Sequence, residues 1–378
     1  MIKRCKQQWE ERCKHFCFAI GIVGTERRAC PRGLKPRWVS VLDVRTESPD
    51  LSQKQKLGQQ QMQPRAILPY SFMSQFMNTK KRMIFFVWVT LFLLTWSAKS
   101  QSPALAIDPP ADKANPAVLD AFQLPSHGSQ LNAIAYVASG AGPHPVVILL
   151  HGFPGMERNF DVAQAIRRAG YTVVLFTYRG AWGSQGAFSF SNAMEDAHVA
   201  VEYLRVPANA KRLRVDPDRI IIAGHSMGGW MALATAASDP KIRAVITISA
   251  ADMPAMAAQI VAASGAANAL KTCIPLFSDG SMAPLAGTTP EAACKELIGH
   301  TAQWSFPNYA KGLGTRPVFL ITSDDGFMTF SDGLAKQLRA NGDQQVLETH
   351  LATDHTYSDK RIALTQAVLE DLASLKLQ

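Results

Sequence analysis

Residues 219–229 read RIIIAGHSMGG and set a serine, Ser226, between glycines directly after an apolar run. The isoleucines at 220–222 predict a buried strand, and the small and apolar residues at 227–237 predict a helix. Ser226 therefore lies at a strand-to-helix turn. Such a turn strains the serine backbone and lifts the hydroxyl clear of the sheet, and flanking glycines avoid collisions with the neighbouring strand and helix.

The alternation of strands and helices extends through residues 119–378. A hairpin is predicted around the turn residues 126–129, followed by apolar strands that alternate with helices. We predict strands at 146–150, 172–178, 219–223, 244–249, 317–322 and 345–351, and helices at 159–169, 193–205, 227–237, 332–340 and from 361, with Asn192 as an N-cap. This order predicts an α/β fold with a mostly parallel central sheet and helices on both faces.

Residues 251–314 interrupt this rhythm. They are rich in Ala, Met, Gly and Pro, and they are too numerous for a bare connection in a compact domain. We therefore predict a lid inserted between two strands of the sheet.

The excess of basic residues that gives the net charge of +9 lies in the N-terminal 100 residues. Residues 1–100 carry 18 Lys and Arg against 6 Asp and Glu, whereas residues 101–378 carry 21 against 24. The mildly acidic body gives no electrostatic reason to expect nucleic acid or an anionic membrane surface as a partner.

A secretory signal is predicted at 77–100. Three basic residues at 80–82 precede the apolar run 83–94, and small residues follow at Ala98 and Ser100. A membrane-spanning helix needs about 20 apolar residues, so this run is too short to be an anchor. We expect a secreted or periplasmic protein, with translation starting near Met77, residues 1–76 an extension without a fold of its own, and 101–118 a linker.

Four of the six cysteines lie in the first 100 residues. The spacing of Cys13, His15 and Cys17 does not match paired zinc ligands, so no metal site is predicted. Cys273 and Cys294 of the body form either a disulfide, which export favours, or two unpaired buried thiols.

A serine nucleophile requires a base, and the base requires an orienting acid. In this fold both follow the serine at the carboxyl ends of later strands. The last strand is followed by His355, which we assign as the base, because the rival His350 lies within the strand itself. The preceding strand ends at Asp324 and Asp325, and we favour Asp325 as the acid because it lies one step further into the loop. Asp354 is interpreted as a turn residue.

The tetrahedral intermediate requires two backbone donors. One is the amide of Met227, directly after the nucleophile. The sequence HGFPG at 151–155 follows a predicted strand, and its glycines permit close backbone approach, so the Phe153 amide is the second candidate.

From about residue 120 onward the chain resembles an α/β-hydrolase of the dienelactone-hydrolase-like and prolyl-oligopeptidase-like (S9-like) branch. The resemblance is carried by HGFPG, TYRGAWGSQG at 177–186, VDPDRIIIAGHSMGG at 215–229, ITSDDG at 321–326 and DHTYSD at 354–359. It implies the α/β-hydrolase fold, a triad of Ser226, Asp325 and His355, an oxyanion hole from Phe153 and Met227, and hydrolysis without a cofactor.

The resemblance also places the loop 177–186 at the border of the site, where Tyr178, Arg179 and Trp182 either contact substrate or, for Arg179, tie loops together. Dienelactone hydrolases carry a cysteine at the position of Ser226, and the residues before HGFPG are too few for an oligopeptidase propeller. We therefore expect an exported serine esterase acting on a small-molecule ester. A small serine peptidase or amidase is the alternative, and a non-catalytic binding protein of this fold is a third hypothesis.

Overall fold

The computed structural model describes residues 101–278, 280 and 282–377. The predicted signal segment and the extension that precedes it lie outside these residues. No helix among the described residues is long and apolar enough to cross a membrane.

Eight strands form one sheet in the order β1-β2-β4-β3-β5-β6-β7-β8. Their bounds are β1 Val118–Ser126, β2 Ser129–Val137, β3 His144–Leu150, β4 Thr172–Phe176, β5 Val215–His225, β6 Ala244–Ile248, β7 Val318–Thr322 and β8 Val346–His350. The predicted hairpin is confirmed: β1 pairs antiparallel with β2, and β2 pairs antiparallel with β4. All pairings from β4 to β8 are parallel.

The helices connect the strands and cover both faces. They are α1 Phe160–Arg168, α2 Phe190–Arg205, α3 Pro207–Leu213, α4 Met227–Ser238, α5 Met253–Ser264, α6 Ala266–Cys273, α7 Pro290–Gly299, α8 Ala310–Leu313, α9 Met328–Ala340 and α10 Arg361–Ser374. Short 3₁₀ helices occur at Pro103–Leu105, Ile274–Phe277 and Phe306–Tyr309.

Apolar side chains cover both faces of the sheet, because successive residues of a strand point to opposite faces and both sets are apolar. In β3, Val146, Ile148 and Leu150 belong to one buried cluster. Val147 and Leu149 belong to the cluster on the other face. This explains why the strands read as continuous apolar runs, as buried parallel strands do.

The N-terminus of α2 differs from the prediction. The N-cap is Ser189, whose hydroxyl accepts a hydrogen bond from the amide of Asn192 at 3.0 Å, so Asn192 is not the cap. The helix also receives support from α7, because the Glu296 carboxylate accepts the amides of Phe190 and Ser191, both at 2.8 Å. Asn192 was the wrong choice because the true cap is followed by three residues of helix, 190–192, that the pattern did not register.

The predicted insertion between β6 and β7 carries α5 to α8. Its disulfide joins Cys273, at the end of α6, to Cys294 in α7, with an S–S distance of 2.06 Å. The insertion also pairs with the loop after β4, since the Trp182 amide donates to the Pro284 carbonyl at 2.9 Å and the Ala286 amide to that of Gly180 at 2.7 Å. The insertion is thereby attached at the end of the sheet where the parallel strands terminate.

Candidate active site

Ser226 lies between the last residue of β5 and the first residue of α4. Its backbone angles, φ 57° and ψ −123°, are ones that residues other than glycine rarely adopt. A Cβ on Gly224 would lie 2.1 Å from the Gly228 carbonyl oxygen, and one on Gly228 would lie 2.2 Å from that of Leu150. The predicted reason for the two glycines is confirmed, because only glycine fits between the elbow, its helix and strand β3.

Asp325 and His355 lie in the loops that follow β7 and β8. The Asp325 carboxylate accepts a hydrogen bond from His355 Nδ1 at 2.7 Å and another from the Phe327 amide at 2.9 Å. The side chain of Asp325 is only 4% exposed. Burial raises the pKa of this carboxyl, but the hydrogen bonds from His355 and the Phe327 amide outweigh it, so the pKa lies below its ordinary value.

The base loop contacts the nucleophile's strand directly. The carbonyl oxygen of His355 accepts a hydrogen bond from His225 Nε2 at 2.8 Å, and the two imidazole rings are 4.7 Å apart. Because His225 immediately precedes Ser226, the structure brings the predicted base to the residue adjoining the predicted nucleophile.

The HGFPG loop passes over Ser226. A Cβ on Gly152 would lie 2.8 Å from Ser226 Cβ and 3.4 Å from its hydroxyl oxygen, so this position also requires glycine. Phe153, the next residue, carries one predicted oxyanion donor. Met227 is the first residue of α4, where backbone amides have no acceptor within the helix and point out of its N-terminus.

A family model described as "Alpha/beta hydrolase family" matches residues 147–361, which is more than half of the chain. The chain belongs to the alpha/beta hydrolase family. The expected family and fold are thus confirmed, and the dienelactone-hydrolase-like and prolyl-oligopeptidase-like branch stays a prediction.

Individual relatives of this hydrolase are similar over shorter stretches. This hydrolase is 31% identical over 131 residues to the quorum-quenching protein AidA of Acinetobacter baumannii. The matched stretch covers 33% of this chain and 41% of AidA. The hydrolase is 32% identical over 101 residues to lysophosphatidylserine lipase ABHD12 of Danio rerio, covering 26% of this chain and 24% of that protein. The hydrolase therefore spans less than half the length of both relatives.

Among solved structures, the hydrolase is similar to Est1E from Butyrivibrio proteoclasticus with bound ferulic acid. The TM-score is 0.52 at 19% identity, over 68% of this chain and 100% of that chain. This likeness concerns the fold.

Asp324 and His350, the alternative candidates for the acid and the base, pair with each other rather than with Asp325 and His355. Asp324 is 63% exposed, and its carboxylate lies 3.2 Å from His350 Nε2. The other ring nitrogen of His350 lies 3.0 Å from the Thr322 hydroxyl. Asp354 accepts the amides of Thr356 and Ser358 and is a turn residue, as expected.

Two side chains of the loop 177–186 donate hydrogen bonds to main-chain carbonyls of the HGFPG loop. Tyr178 is fully buried, and its hydroxyl donates to the His151 carbonyl at 3.2 Å. In this structure Tyr178 supports that loop, and its contact with substrate stays a prediction. Trp182 is 37% exposed and donates from its indole to the Pro154 carbonyl at 2.7 Å, so it borders the loop and keeps an open face.

Arg179 ties the loop 177–186 to α2. Its backbone amide and its Nε each donate to the buried carboxylate of Asp196 at 2.7 Å, and its guanidinium also contacts Glu195. Of the two roles considered for this residue, the structural one fits these contacts.

Two buried histidines of the hydrolase were missed as contributors to the site. Burial lowers the pKa of His151 to about 4, so this ring is neutral. Its Nδ1 faces the Gly152 carbonyl at 2.7 Å, and because a carbonyl can only accept, Nδ1 carries the proton. Burial, together with the charge of His355, lowers the pKa of His225 to about 3, so this ring is neutral as well. The signal available in the sequence was their position at the carboxyl ends of apolar strands, since His151 directly follows β3 and His225 is the last residue of β5.

Among the described residues, no group of three or more His, Cys, Asp or Glu side chains is arranged to hold a metal ion. Cys13, His15 and Cys17 lie outside the described residues.

Proposed function

We propose that this hydrolase cleaves carboxylic esters through an acyl-enzyme on Ser226, with Asp325 and His355 as the other members of a catalytic triad. The observation that carries the proposal is the meeting, at one edge of the sheet, of a strained serine elbow and a buried carboxylate–imidazole pair joined at 2.7 Å. A serine hydroxyl alone is a poor nucleophile at neutral pH, and such a pair is what activates it.

In the acylation step, the Ser226 oxygen attacks the ester carbonyl carbon and its proton passes to Nε2 of His355. The Nδ1 proton of His355 stays on that nitrogen and is hydrogen-bonded to the Asp325 carboxylate, which fixes the tautomer and stabilises the imidazolium. The backbone amides of Phe153 and Met227 stabilise the negative oxygen of the tetrahedral intermediate. Collapse of this intermediate breaks the bond to the alcohol, which leaves with the proton from His355.

In the deacylation step, a water molecule loses a proton to His355 and attacks the acyl carbon. The second tetrahedral intermediate releases the carboxylic acid and returns the proton to Ser226. These residues and water supply every proton and electron pair in the cycle. The name of one relative, lysophosphatidylserine lipase ABHD12, describes ester hydrolysis and agrees with this reaction class.

The test combines covalent labelling with turnover. We expect a fluorophosphonate to label wild-type protein at Ser226 and p-nitrophenyl butyrate to be hydrolysed, whereas Ser226→Ala should abolish both and retain the fold. Ser238→Ala, at the other end of α4, is the matched control and should behave as wild type. Turnover by Ser226→Ala at the wild-type rate would refute the nucleophile. Faster cleavage of aminoacyl anilides than of esters would make the protein an amidase or peptidase.

We also propose that the protein is exported, with residues 77–100 as a cleaved signal. The Cys273–Cys294 disulfide supports this, because disulfides persist in oxidising compartments and are rare in the cytosol. Expression in a bacterial host from Met77 should yield periplasmic or secreted protein whose mass corresponds to a start near residue 101. Recovery of uncleaved cytosolic protein would contradict export.

A further inference from the structure

Two buried residues that the proposed mechanism does not use have unusual backbone angles. Ser249 follows β6 with φ 43°, and Tyr357 lies two residues after His355 with φ 57°. Both side chains are buried. Positive φ at residues other than glycine persists only where the surroundings enforce it, and it concentrates at functional sites.

A short chain of hydroxyl groups joins these residues. The Ser249 hydroxyl lies 2.8 Å from that of Tyr357 and 2.8 Å from that of Ser323. Tyr357 also donates to the Ile321 carbonyl at 3.3 Å, and the Ser249 amide donates to the same carbonyl at 2.7 Å. The chain therefore connects the end of β6, the end of β7 and the loop that carries His355.

The same hydroxyl groups adjoin the acid. Burial raises the pKa of Asp325, and the groups that lower it again are His355, the Phe327 amide and, as the smallest contributor, the hydroxyl of Ser249. The charge of Asp325 in turn contributes to the raised pKa of Tyr357, after the larger effect of burial.

We propose that Ser249 and Tyr357 are positioning residues that hold the Asp325 carboxylate and the His355 loop in register with each other. This rests on the proposed function, because it assigns the pair a role in activating Ser226. Asp325 and His355 lie on separate loops, so their 2.7 Å contact depends on a connection between those loops. Tyr357 anchors the base loop to Ser249 at the end of β6, and Ser249 is hydrogen-bonded in turn to Ser323, two residues before the acid.

A purely structural role would look different in solution. If the two hydroxyls only satisfied each other in the interior, their loss would lower stability and leave kcat and KM of the folded protein unchanged. If they position the pair, their loss loosens the connection between the acid loop and the base loop, so that kcat falls while KM stays the same.

The experiment compares Tyr357→Phe and Ser249→Ala with two matched controls. Tyr171→Phe removes another buried tyrosine hydroxyl bonded to a main-chain carbonyl, and Thr247→Val removes a buried hydroxyl from β6, the strand that Ser249 follows. We expect kcat to fall about tenfold or more in the two test variants, with KM within about twofold of wild type. The controls should keep the kcat and KM of wild type.

A measurement on the resting protein keeps the two proposals separable. The proton between His355 Nδ1 and Asp325 is observed by low-field ¹H NMR at one fixed pH, and its chemical shift should change in both test variants. If kcat and this chemical shift both match the controls, the positioning role is refuted. Should Ser249→Ala fail to fold, Tyr357→Phe decides the matter alone. Failure of fluorophosphonate to label wild-type Ser226 would overturn the proposed function, whereas the NMR signal still tests the contact.

Discussion

Replacing Asp325 by asparagine is the substitution with the most specific expected result, because both carboxylate oxygens are committed. One oxygen accepts from His355 Nδ1 at 2.7 Å, and the other accepts from the Phe327 amide at 2.9 Å. An asparagine has one acceptor oxygen and one NH₂ group. If its oxygen keeps the Phe327 amide, its NH₂ faces Nδ1 of His355, which must then give up its proton and carry it on Nε2 instead.

That tautomer cannot accept the proton of Ser226. The opposite orientation restores the tautomer but sets the asparagine NH₂ against the Phe327 amide, two donors facing each other in a buried place. In the serine-protease template the equivalent change costs about 10⁴-fold in kcat, or about 5 kcal/mol of transition-state stabilisation. We expect Asp325→Asn to lose about 10³- to 10⁴-fold in kcat/KM for p-nitrophenyl butyrate.

The adjacent aspartate provides a matched control. The side chain of Asp324 is 63% exposed and pairs with the partly exposed His350 ring, so Asp324→Asn should change kcat/KM by less than about twofold. Both variants should keep the wild-type circular dichroism spectrum. Equal losses in the two variants, or a larger loss for Asp324→Asn, would refute the assignment of the acid.

Two further predictions concern stability. His151 and His225 have pKa values lowered by burial to about 4 and about 3, below the ordinary value of about 6.5, so the stability that their neutral rings contribute is present above pH 6.5 and is lost as the pH falls towards 4. When the pH is lowered from 7.5 to 5, we expect each ring to reduce the free energy of unfolding by about 2 kcal/mol, measured by urea denaturation. A flat profile would contradict their burial as neutral groups. Gly228→Ala should lower the unfolding free energy by about 3 kcal/mol or more because its Cβ would lie 2.2 Å from the Leu150 carbonyl oxygen. Gly333→Ala in α9, where an added Cβ meets nothing within 4 Å, is the control and should be neutral or stabilising; similar losses in both would argue against the close packing of the elbow.

Much of the fold could be read from the chain. The apolar runs of β3 to β7 identify buried parallel strands because a strand covered on both faces needs apolar side chains at successive positions. The elbow glycines could be explained in advance because the collision they avoid is local, between Gly224 and Gly228 and from Gly228 to the neighbouring strand. The helix start at Ser189 and the helix Pro207–Leu213 were not predicted, because short polar stretches carry several equivalent capping signals.

The chain by itself determined the alternation of strands and helices, the strained serine turn and the order of the proposed nucleophile, acid and base, since these depend on neighbours in sequence. Tertiary structure alone decided which members of each set meet. Asp324 and Asp325 are adjacent, yet one is exposed and the other is buried against His355. Tyr178 and Trp182 share a loop, yet one is buried beneath HGFPG and the other keeps an open face. Such differences arise because distant loops converge at one edge of the sheet, and the direction of a side chain there depends on what packs against it.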